Sequence, residues 1–210
     1  MEAIKQQPGL IRIVIITGSV RPSNYTNMAV ALVLDELKKH PQVSTDVIDP
    51  ARLSLPPPGT DPQSKDAKQL RQKVGQATGV ILATPEYNGS FSSVMKLVIE
   101  NLGYPSPLAG KPVALLGIAG GTIGAVKSLE HLRSVASHVG GIVLPLPISV
   151  ANVGNVFDSE GRCLDSGAEQ LIRGVGTNLV AYIEQNVCPK VTLERLLGER
   201  EQRRPNIVSV

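Results

Sequence analysis

The feature that most constrains the fold is an alternation of five short apolar runs with five segments of helical periodicity. The apolar runs span residues 11–16, 43–48, 80–83, 113–118 and 142–146. The helix-period segments span residues 25–39, 63–74, 92–101, 124–139 and 165–186. Short runs that are apolar on both faces are typical of parallel strands covered by helices. The alternation therefore predicts a three-layer α/β domain built on a five-stranded parallel sheet.

Composition fits one globular domain and excludes several other classes. The 210 residues are 42% hydrophobic and 19% charged, which argues against disordered, collagen-like or disulfide-rich chains. A net charge of +3 is too small to indicate a nucleic-acid partner, and no apolar run reaches the ~18 residues of a membrane span. Residues 1–189 are expected to form the domain, and residues 190–210 a basic tail that packs on a partner or stays mobile. The first residues do not resemble a secretion signal, which favours the cytoplasm.

The cysteines and histidines do not predict a metal site. Cys163 and Cys188 lie 25 residues apart, without a CxxC motif or neighbouring histidines, so they are expected to be packing thiols. His131 and His138 share a helical face but lack a carboxylate one turn away, so a packed or solvated face is the expected role.

Residues 17–27, which follow the first apolar run, have the composition of a phosphate site. Ligands of parallel sheets bind at the carboxyl ends of strands. The segment offers hydroxyl and amide side chains, one arginine (Arg21) and the N–H groups of a helix start, all of which suit a phosphate. It is neither a Walker loop nor GxGxxG, which favours a phosphate monoester. A capped helix start with an incidental surface arginine is the alternative.

Two further loops at the same edge of the predicted sheet suit a flat ring. Residues 84–91 hold two of the six aromatic side chains beside Pro85, Asn88 and Gly89, a composition that offers a ring platform and polar donors. The alternative is a turn followed by a core phenylalanine. Residues 117–124 are rich in glycine, which lets the backbone approach a ligand closely. A bare glycine-rich turn is the alternative there.

The order and spacing of these motifs resemble those of the NADPH-dependent FMN reductases, flavodoxin-like flavoproteins that include quinone, azo-dye and chromate reductases. The resemblance covers about residues 10–187. It rests on residues 18–21, Asn24, Thr26, residues 85–90, Lys96, Gly120, Gly121, residues 131–133 and residues 157–161.

The resemblance implies a role for each matched position. Four residues would hold the FMN phosphate: Ser19, Arg21, Asn24 and Thr26. Four would line the ribityl chain and the ring: Pro85, Glu86, Tyr87 and Asn88. Gly120 and Gly121 would approach the ring from the next loop. The resemblance also implies the strand order 2-1-3-4-5, NADPH or NADH as cosubstrate, and a homodimer or homotetramer.

The predicted function is that of an FMN-dependent NAD(P)H oxidoreductase. Hydride would pass to the flavin, and electrons then to a quinone, free flavin or similar small-molecule acceptor. Because the flavin carries this chemistry, no catalytic side chain is predicted. The alternative is a non-enzymatic FMN-binding electron carrier or regulatory module. Carriers usually present an acidic face, and the calculated pI of 8.9 disfavours one here.

The segment 90–104 independently favours a homo-oligomer. It carries eight large apolar side chains, more than one core-facing stripe of a helix requires. An exposed surplus of this kind usually marks an interface, which includes Val98 if that side chain faces the partner rather than the core.

Overall fold

The computed structural model describes residues 11–192. The strands and helices follow in the order β1 (Ile11–Thr17), α1 (Tyr25–Leu37), β2 (Val43–Ile48), α2 (Lys65–Gly75), β3 (Gly79–Tyr87), β4 (Ser90–Phe91), α3 (Ser93–Asn101), β5 (Pro112–Ile118), α4 (Val126–His138), β6 (Ile142–Val143), β7 (Ile148–Val150), α5 (Val153–Val156) and α6 (Ser166–Tyr182). A 3-10 turn at Pro50–Arg52 follows β2, and a π-helical turn at Ile183–Val187 follows α6.

The sheet confirms the predicted flavodoxin-like topology. Its order is β2-β1-β3-β5, and both β6 and β7 pair in parallel with β5 as the fifth position. With β6 and β7 counted as one strand, this is the order 2-1-3-4-5. Within residues 11–192 the one addition is β4, which pairs antiparallel with β3. The register places Thr17 beside Ala83, and Pro85 beside Ile118, so the loops that follow β1, β3 and β5 meet at one edge.

Alternate residues of the central strands supply a core on each face of the sheet. In β1, Ile13 and Ile15 point into the cluster shared with α1 and α6. Val14 and Ile16 point into the opposite cluster, shared with α2, α3 and α4. All four side chains are fully buried. This two-sided burial explains why the strand sequences are almost continuously apolar.

The fifth strand differs from the predicted run 142–146. It is divided into β6 and β7 by Pro145-Leu146-Pro147, and Leu146 adopts a left-handed conformation with φ of 58°. Proline has no N–H to give to the strand ladder, so pairing stops there and resumes at Ile148. Leu146 is 79% exposed at this interruption.

Val98 faces the core rather than a partner subunit. Val98 and Met95 on α3 are fully buried in the core. The loop after β2 also lies against the end of this helix. There the Asn101 side chain donates a hydrogen bond to the Pro56 carbonyl. Most of the apolar side chains of α3 are therefore buried within the protein rather than left exposed for an interface.

The helix α6 continues beyond its expected end at residue 186. After the π-helical turn the chain is helical through residue 192, and Pro189 lies within this extension. The ring of a helical proline crowds the carbonyl four residues earlier, and here a wider π-helical turn at Ile183–Val187 precedes it. The boundary at residue 189 stays a prediction, and most of the predicted tail lies outside the described residues. No helix within residues 11–192 has the length and apolar character to cross a membrane.

Candidate functional site

A cavity of about 350 Å³ opens where the loops after β1, β3 and β5 meet. It is lined by Ser19, Arg21, Pro22, Ser23, Asn24, Tyr25, Thr26, Pro85, Glu86, Tyr87, Ile118, Gly120, Val153 and Gly154. Eight of the ten predicted site residues are in this lining, and the exceptions are Asn88 and Gly121. The structure thus brings together three loops that lie far apart in the sequence.

The loop after β1 leads into α1 through an asparagine cap. The Asn24 Oδ1 atom accepts a hydrogen bond of 2.9 Å from the Asn27 N–H, and its Nδ2 group donates one of 2.7 Å to the Arg21 carbonyl. The capped-helix alternative therefore describes Asn24 correctly. Its side chain fixes the shape of the loop around Arg21.

The polar side-chain groups of Ser19 and Arg21 have no hydrogen-bond or ion-pair partner among residues 11–192. Ser19 is 3% exposed, and its Oγ atom has no hydrogen-bond partner among the described residues. Buried hydroxyl groups are nearly always hydrogen-bonded, so this one points to a ligand in the cavity. Within the same described range the exposed Arg21 guanidinium makes no hydrogen bond or ion pair. An unpartnered donor and an unpaired cation beside a helix N-terminus fit a phosphate group.

The loop after β3 is a tight hairpin rather than an open loop. Asn88 and Gly89 have φ of 52° and 73°, as a type I′ turn requires, and they join β3 to β4 with Tyr87 opposite Ser90. The turn alternative is therefore right for Asn88, which lies at the hairpin tip outside the cavity lining. The Asn-Gly dipeptide is the sequence signal that identifies such a turn.

A buried pair of hydroxyl groups holds the first two loops together. The Thr84 Oγ1 atom accepts a hydrogen bond from the Ser92 N–H, and the Ser92 Oγ atom donates one to the Gly18 carbonyl. Both hydroxyl side chains are buried. Sequence analysis missed their role because a lone serine or threonine after a strand has no specific pattern.

The loop after β5 leaves open space at Gly120. A Cβ atom built on Gly120 meets no atom of residues 11–192 within 4 Å, and the residue does not have a positive φ. Space kept clear beside backbone is what the close approach of a ring needs. Gly121 lies outside the lining, and its carbonyl accepts a hydrogen bond of 3.1 Å from the Asn152 N–H.

A fourth wall, formed after β7, was not predicted. The Val153 N–H donates to the Ala119 carbonyl over 3.0 Å, which joins this wall to the loop after β5. The Tyr25 ring, which lines the cavity, stacks on the buried Phe157 ring with centroids 6.4 Å apart. The wall was missed because the fifth strand was ended at residue 146, although the carboxyl-end rule applies equally to β7.

The turn behind Phe157 is fixed by an ion pair. The Arg162 Nε atom lies 2.7 Å from the Asp158 Oδ2 atom, and these hydrogen bonds hold the pKa of Asp158 below its ordinary value. Within residues 11–192 no group of three or more His, Cys, Asp or Glu side chains is placed to hold a metal ion.

Comparison with known proteins agrees with this geometry. Residues 11–155 match the model of the NADPH-dependent FMN reductase family. An NAD(P)H-dependent FMN reductase of Pseudomonas aeruginosa is 29% identical over 177 residues, covering 78% of this chain and 90% of the relative. An FMN-dependent NADPH-azoreductase of Staphylococcus haemolyticus is 28% identical over 160 residues, covering 73% of this chain and 80% of that protein.

A solved structure shares the fold. The flavoenzyme NAD(P)H:(acceptor) oxidoreductase FerB from Paracoccus denitrificans superimposes with a TM-score of 0.68 at 22% identity, over 83% of this chain and 98% of FerB. Because the family model matches more than half of the sequence, the family assignment does not depend on this structural likeness. The chain belongs to the NADPH-dependent FMN reductase family, and it is an FMN-dependent oxidoreductase that takes its electrons from NAD(P)H.

Proposed function

We propose that the cavity described above is the FMN site, and that the protein passes electrons from NAD(P)H to a quinone, free flavin or similar small-molecule acceptor. The observation that carries the proposal is the buried Ser19 hydroxyl, which faces the cavity without a partner among the described residues. A cavity with one orphaned donor and one unpaired arginine is incomplete without an anionic ligand.

In this proposal the loop after β1 binds the phosphate. Ser19 donates its hydroxyl hydrogen, and Arg21 supplies the positive charge. Thr26 contributes from the first turn of α1, where backbone N–H groups favour an anion. Asn24 acts indirectly, because both ends of its amide group hold the loop in shape.

The ring would lie between the hairpin after β3 and the loop after β5. Pro85 and Tyr87 offer an apolar surface on one side, and Gly120 leaves room for the ring on the other. Bound FMN supplies the chemistry, accepting hydride from NAD(P)H and handing electrons to the acceptor. The protein's own task is to hold the ring in place and to keep one face accessible.

We also propose that the active form is a homodimer or homotetramer in the cytoplasm. Large apolar side chains are exposed in one copy of the chain on the segments that follow β1 and β5 and at the end of β3: Val20, Tyr25, Tyr87, Ile123 and Val126. Ile123 is 82% exposed. A second copy over these side chains would bury apolar surface and exclude water from the ring. The cytoplasm is the expected compartment because NAD(P)H is a metabolite of the cell interior.

The phosphate assignment is tested by comparing two ligands. A charge-assisted hydrogen bond contributes about 1.5–3 kcal/mol, so Arg21→Ala should weaken FMN binding roughly ten- to a hundredfold. Riboflavin, which lacks the phosphate, should bind the variant and the wild type equally. Arg52→Ala, which removes an exposed arginine outside the cavity lining, is the control. Equal losses for FMN and riboflavin would overturn the phosphate site.

The activity is tested by steady-state oxidation of NADPH and NADH with a panel of quinones, free flavins and azo dyes. Turnover that depends on both FMN and an added acceptor supports the proposal. FMN binding without NAD(P)H oxidation would instead identify an electron carrier or regulatory module. Light scattering on the active, FMN-loaded protein should give a multiple of the 22.3 kDa chain mass.

A further inference from the structure

The helix α4 begins without a side-chain cap of its own. Ala125 occupies the N-cap position, and its methyl group cannot accept a hydrogen bond. A serine or aspartate would not fit easily there, because Ala125 is fully buried, and its Cβ atom lies only 2.6 Å from the position that a Cβ on Gly117 would occupy. The Ser149 hydroxyl satisfies the Ala125 N–H over 2.8 Å. The N–H groups of the first turn still need acceptors.

Glu86 supplies one of these acceptors from 42 residues earlier in the chain. Its Oε2 atom accepts a hydrogen bond of 3.0 Å from the Ser128 N–H, the third N–H of α4. A local cap residue normally makes this bond. A carboxylate is also favoured at this end of a helix, where the aligned peptide dipoles leave partial positive charge. Glu86 is half-buried, so solvent competes only partly for the bond.

The bond joins two of the loops that line the cavity. Glu86 belongs to the β3–β4 hairpin, which carries Tyr87, while α4 directly follows the loop that carries Gly120. The hairpin also meets α4 where the Ser90 Oγ atom lies 3.1 Å from the His131 Nδ1 atom. That second contact is one turn further along the helix and exposed. Glu86 therefore makes the half-buried contact nearest to the start of α4.

We infer that the Glu86 carboxylate caps α4 from the hairpin and is the positioning group that sets the spacing between the two loops facing the ring. This inference rests on the proposed FMN site for what the loops hold. In this role the carboxylate acts through α4 and makes no contact with the reacting atoms. Loss of the Glu86 carboxylate would let the two loops that line the cavity move apart. Turnover would then fall, because small errors in the placement of reacting groups reduce it strongly.

The cap is tested first in ligand-free protein, by hydrogen exchange at the amides of α4. Glu86→Ala should speed exchange at Ser128 about fivefold or more, as expected for a lost helix cap. Glu86→Gln keeps an oxygen acceptor, so its exchange should lie closer to the wild type than to Glu86→Ala. Glu130→Ala removes an exposed carboxylate from the same helix and is the matched control. Unchanged exchange at Ser128 in Glu86→Ala would overturn the cap.

The positioning role is tested in the FMN-loaded protein. Glu86→Ala should weaken FMN and riboflavin binding by similar factors and lower kcat for NAD(P)H oxidation more than it raises KM, with partial rescue in Glu86→Gln. Wild-type affinity and turnover in Glu86→Ala, despite faster exchange at Ser128, would reduce Glu86 to a structural cap and overturn the inference. Equal damage to binding and turnover from Ala and Gln, with exchange at Ser128 near wild type in Glu86→Gln, would show that the charge acts on the ligand rather than through the cap, which also contradicts the inference. Failure of the wild type to bind FMN would refute the proposed function instead, and the exchange experiment would still report on the cap.

Discussion

The hydroxyl group of Ser92 donates a hydrogen bond of 2.5 Å to the carbonyl oxygen of Gly18, across 74 residues of sequence. The Ser92 Oγ atom in turn accepts a hydrogen bond of 3.0 Å from the Met95 N–H and so caps α3. A single buried side chain therefore starts one helix and fixes the position of the loop proposed to hold the phosphate. There is little free space around this junction, because a Cβ on Gly18 would approach the Ala83 carbonyl to 3.0 Å.

Replacing Ser92 with alanine should lower the free energy of unfolding by about 1–3 kcal/mol, since it removes a helix cap and leaves the buried Gly18 carbonyl without its partner. FMN affinity should fall as well, because the loop after β1 loses an anchor. Urea unfolding and FMN titration measure the two effects. Ser93→Ala, at the exposed neighbouring position, is the control, and an equal effect there would contradict the assignment.

Replacing Ser19 with alanine should change stability and binding in opposite directions. Without ligand, the variant should be more stable than the wild type by about 1 kcal/mol, because it no longer buries an unpaired hydroxyl. FMN affinity should fall roughly tenfold through the lost hydrogen bond. Thermal unfolding with and without FMN measures both. A loss of stability in the ligand-free variant would show that the hydroxyl has a partner within the protein.

Gly120→Val should fold normally but bind FMN poorly. A side chain at this position meets no protein atom within 4 Å of its Cβ, so the fold tolerates it, but it occupies the space proposed for the ring. Circular dichroism tests the fold, and FMN titration tests the site. Cys163→Ala and Cys188→Ala, which alter two thiols outside the cavity lining, should do less harm even together. A fully active, FMN-loaded Gly120→Val protein would contradict the assignment of this loop.

Leu146→Gly should stabilise the protein by about 0.5–2 kcal/mol. A branched residue at φ of 58° costs on the order of 1–3 kcal/mol, more than the entropy that glycine adds to the unfolded chain. The exposed side chain offers little burial to lose. Leu171→Gly, at an exposed position within α6, should have the opposite effect and lower the free energy of unfolding by about 1 kcal/mol. Denaturation midpoints of the two variants provide the comparison.

Asp35→Asn should lower stability near neutral pH but not in acid. Arg173 on α6 donates a hydrogen bond of 2.7 Å to Asp35 on α1, which holds the pKa of Asp35 below its ordinary value of 3.8. A lowered pKa means that the folded state favours the charged carboxylate. The contribution is therefore present above about pH 4 and is lost as pH falls through the lowered pKa. Unfolding curves at low salt, from about pH 7 to pH 2, should show that the difference in unfolding free energy between variant and wild type becomes smaller in acid.

Much of the fold could be predicted because its signals are local. Strand β1 and the start of α1 follow from a buried apolar run and from the polar segment that caps the helix. The division of the fifth strand is indicated only by Pro145 and Pro147, which interrupt an otherwise continuous apolar run. Pattern analysis joined residues 142–146 across the first of these prolines and ended before β7.

The candidate site was predictable in outline but not in the roles of its side chains. Eight of ten proposed residues line one cavity, since the carboxyl ends of parallel strands meet at one edge. Asn88 lies at the hairpin tip outside this lining, and its role at the ring stays a prediction. The Glu86–Ser128 and Ser92–Gly18 bonds each join residues that are distant in sequence, and no periodicity encodes such pairs.

The interruption between β6 and β7 also affects how the protein behaves in a crowded solution. An unbroken edge strand offers a continuous row of N–H and carbonyl groups to which a foreign strand can add, and this is a common route to aggregation. Two prolines and a left-handed leucine remove that row at the midpoint of this edge. The fifth strand is therefore a poor template for a strand from another molecule, and β2 is the edge that keeps an unbroken row of backbone groups.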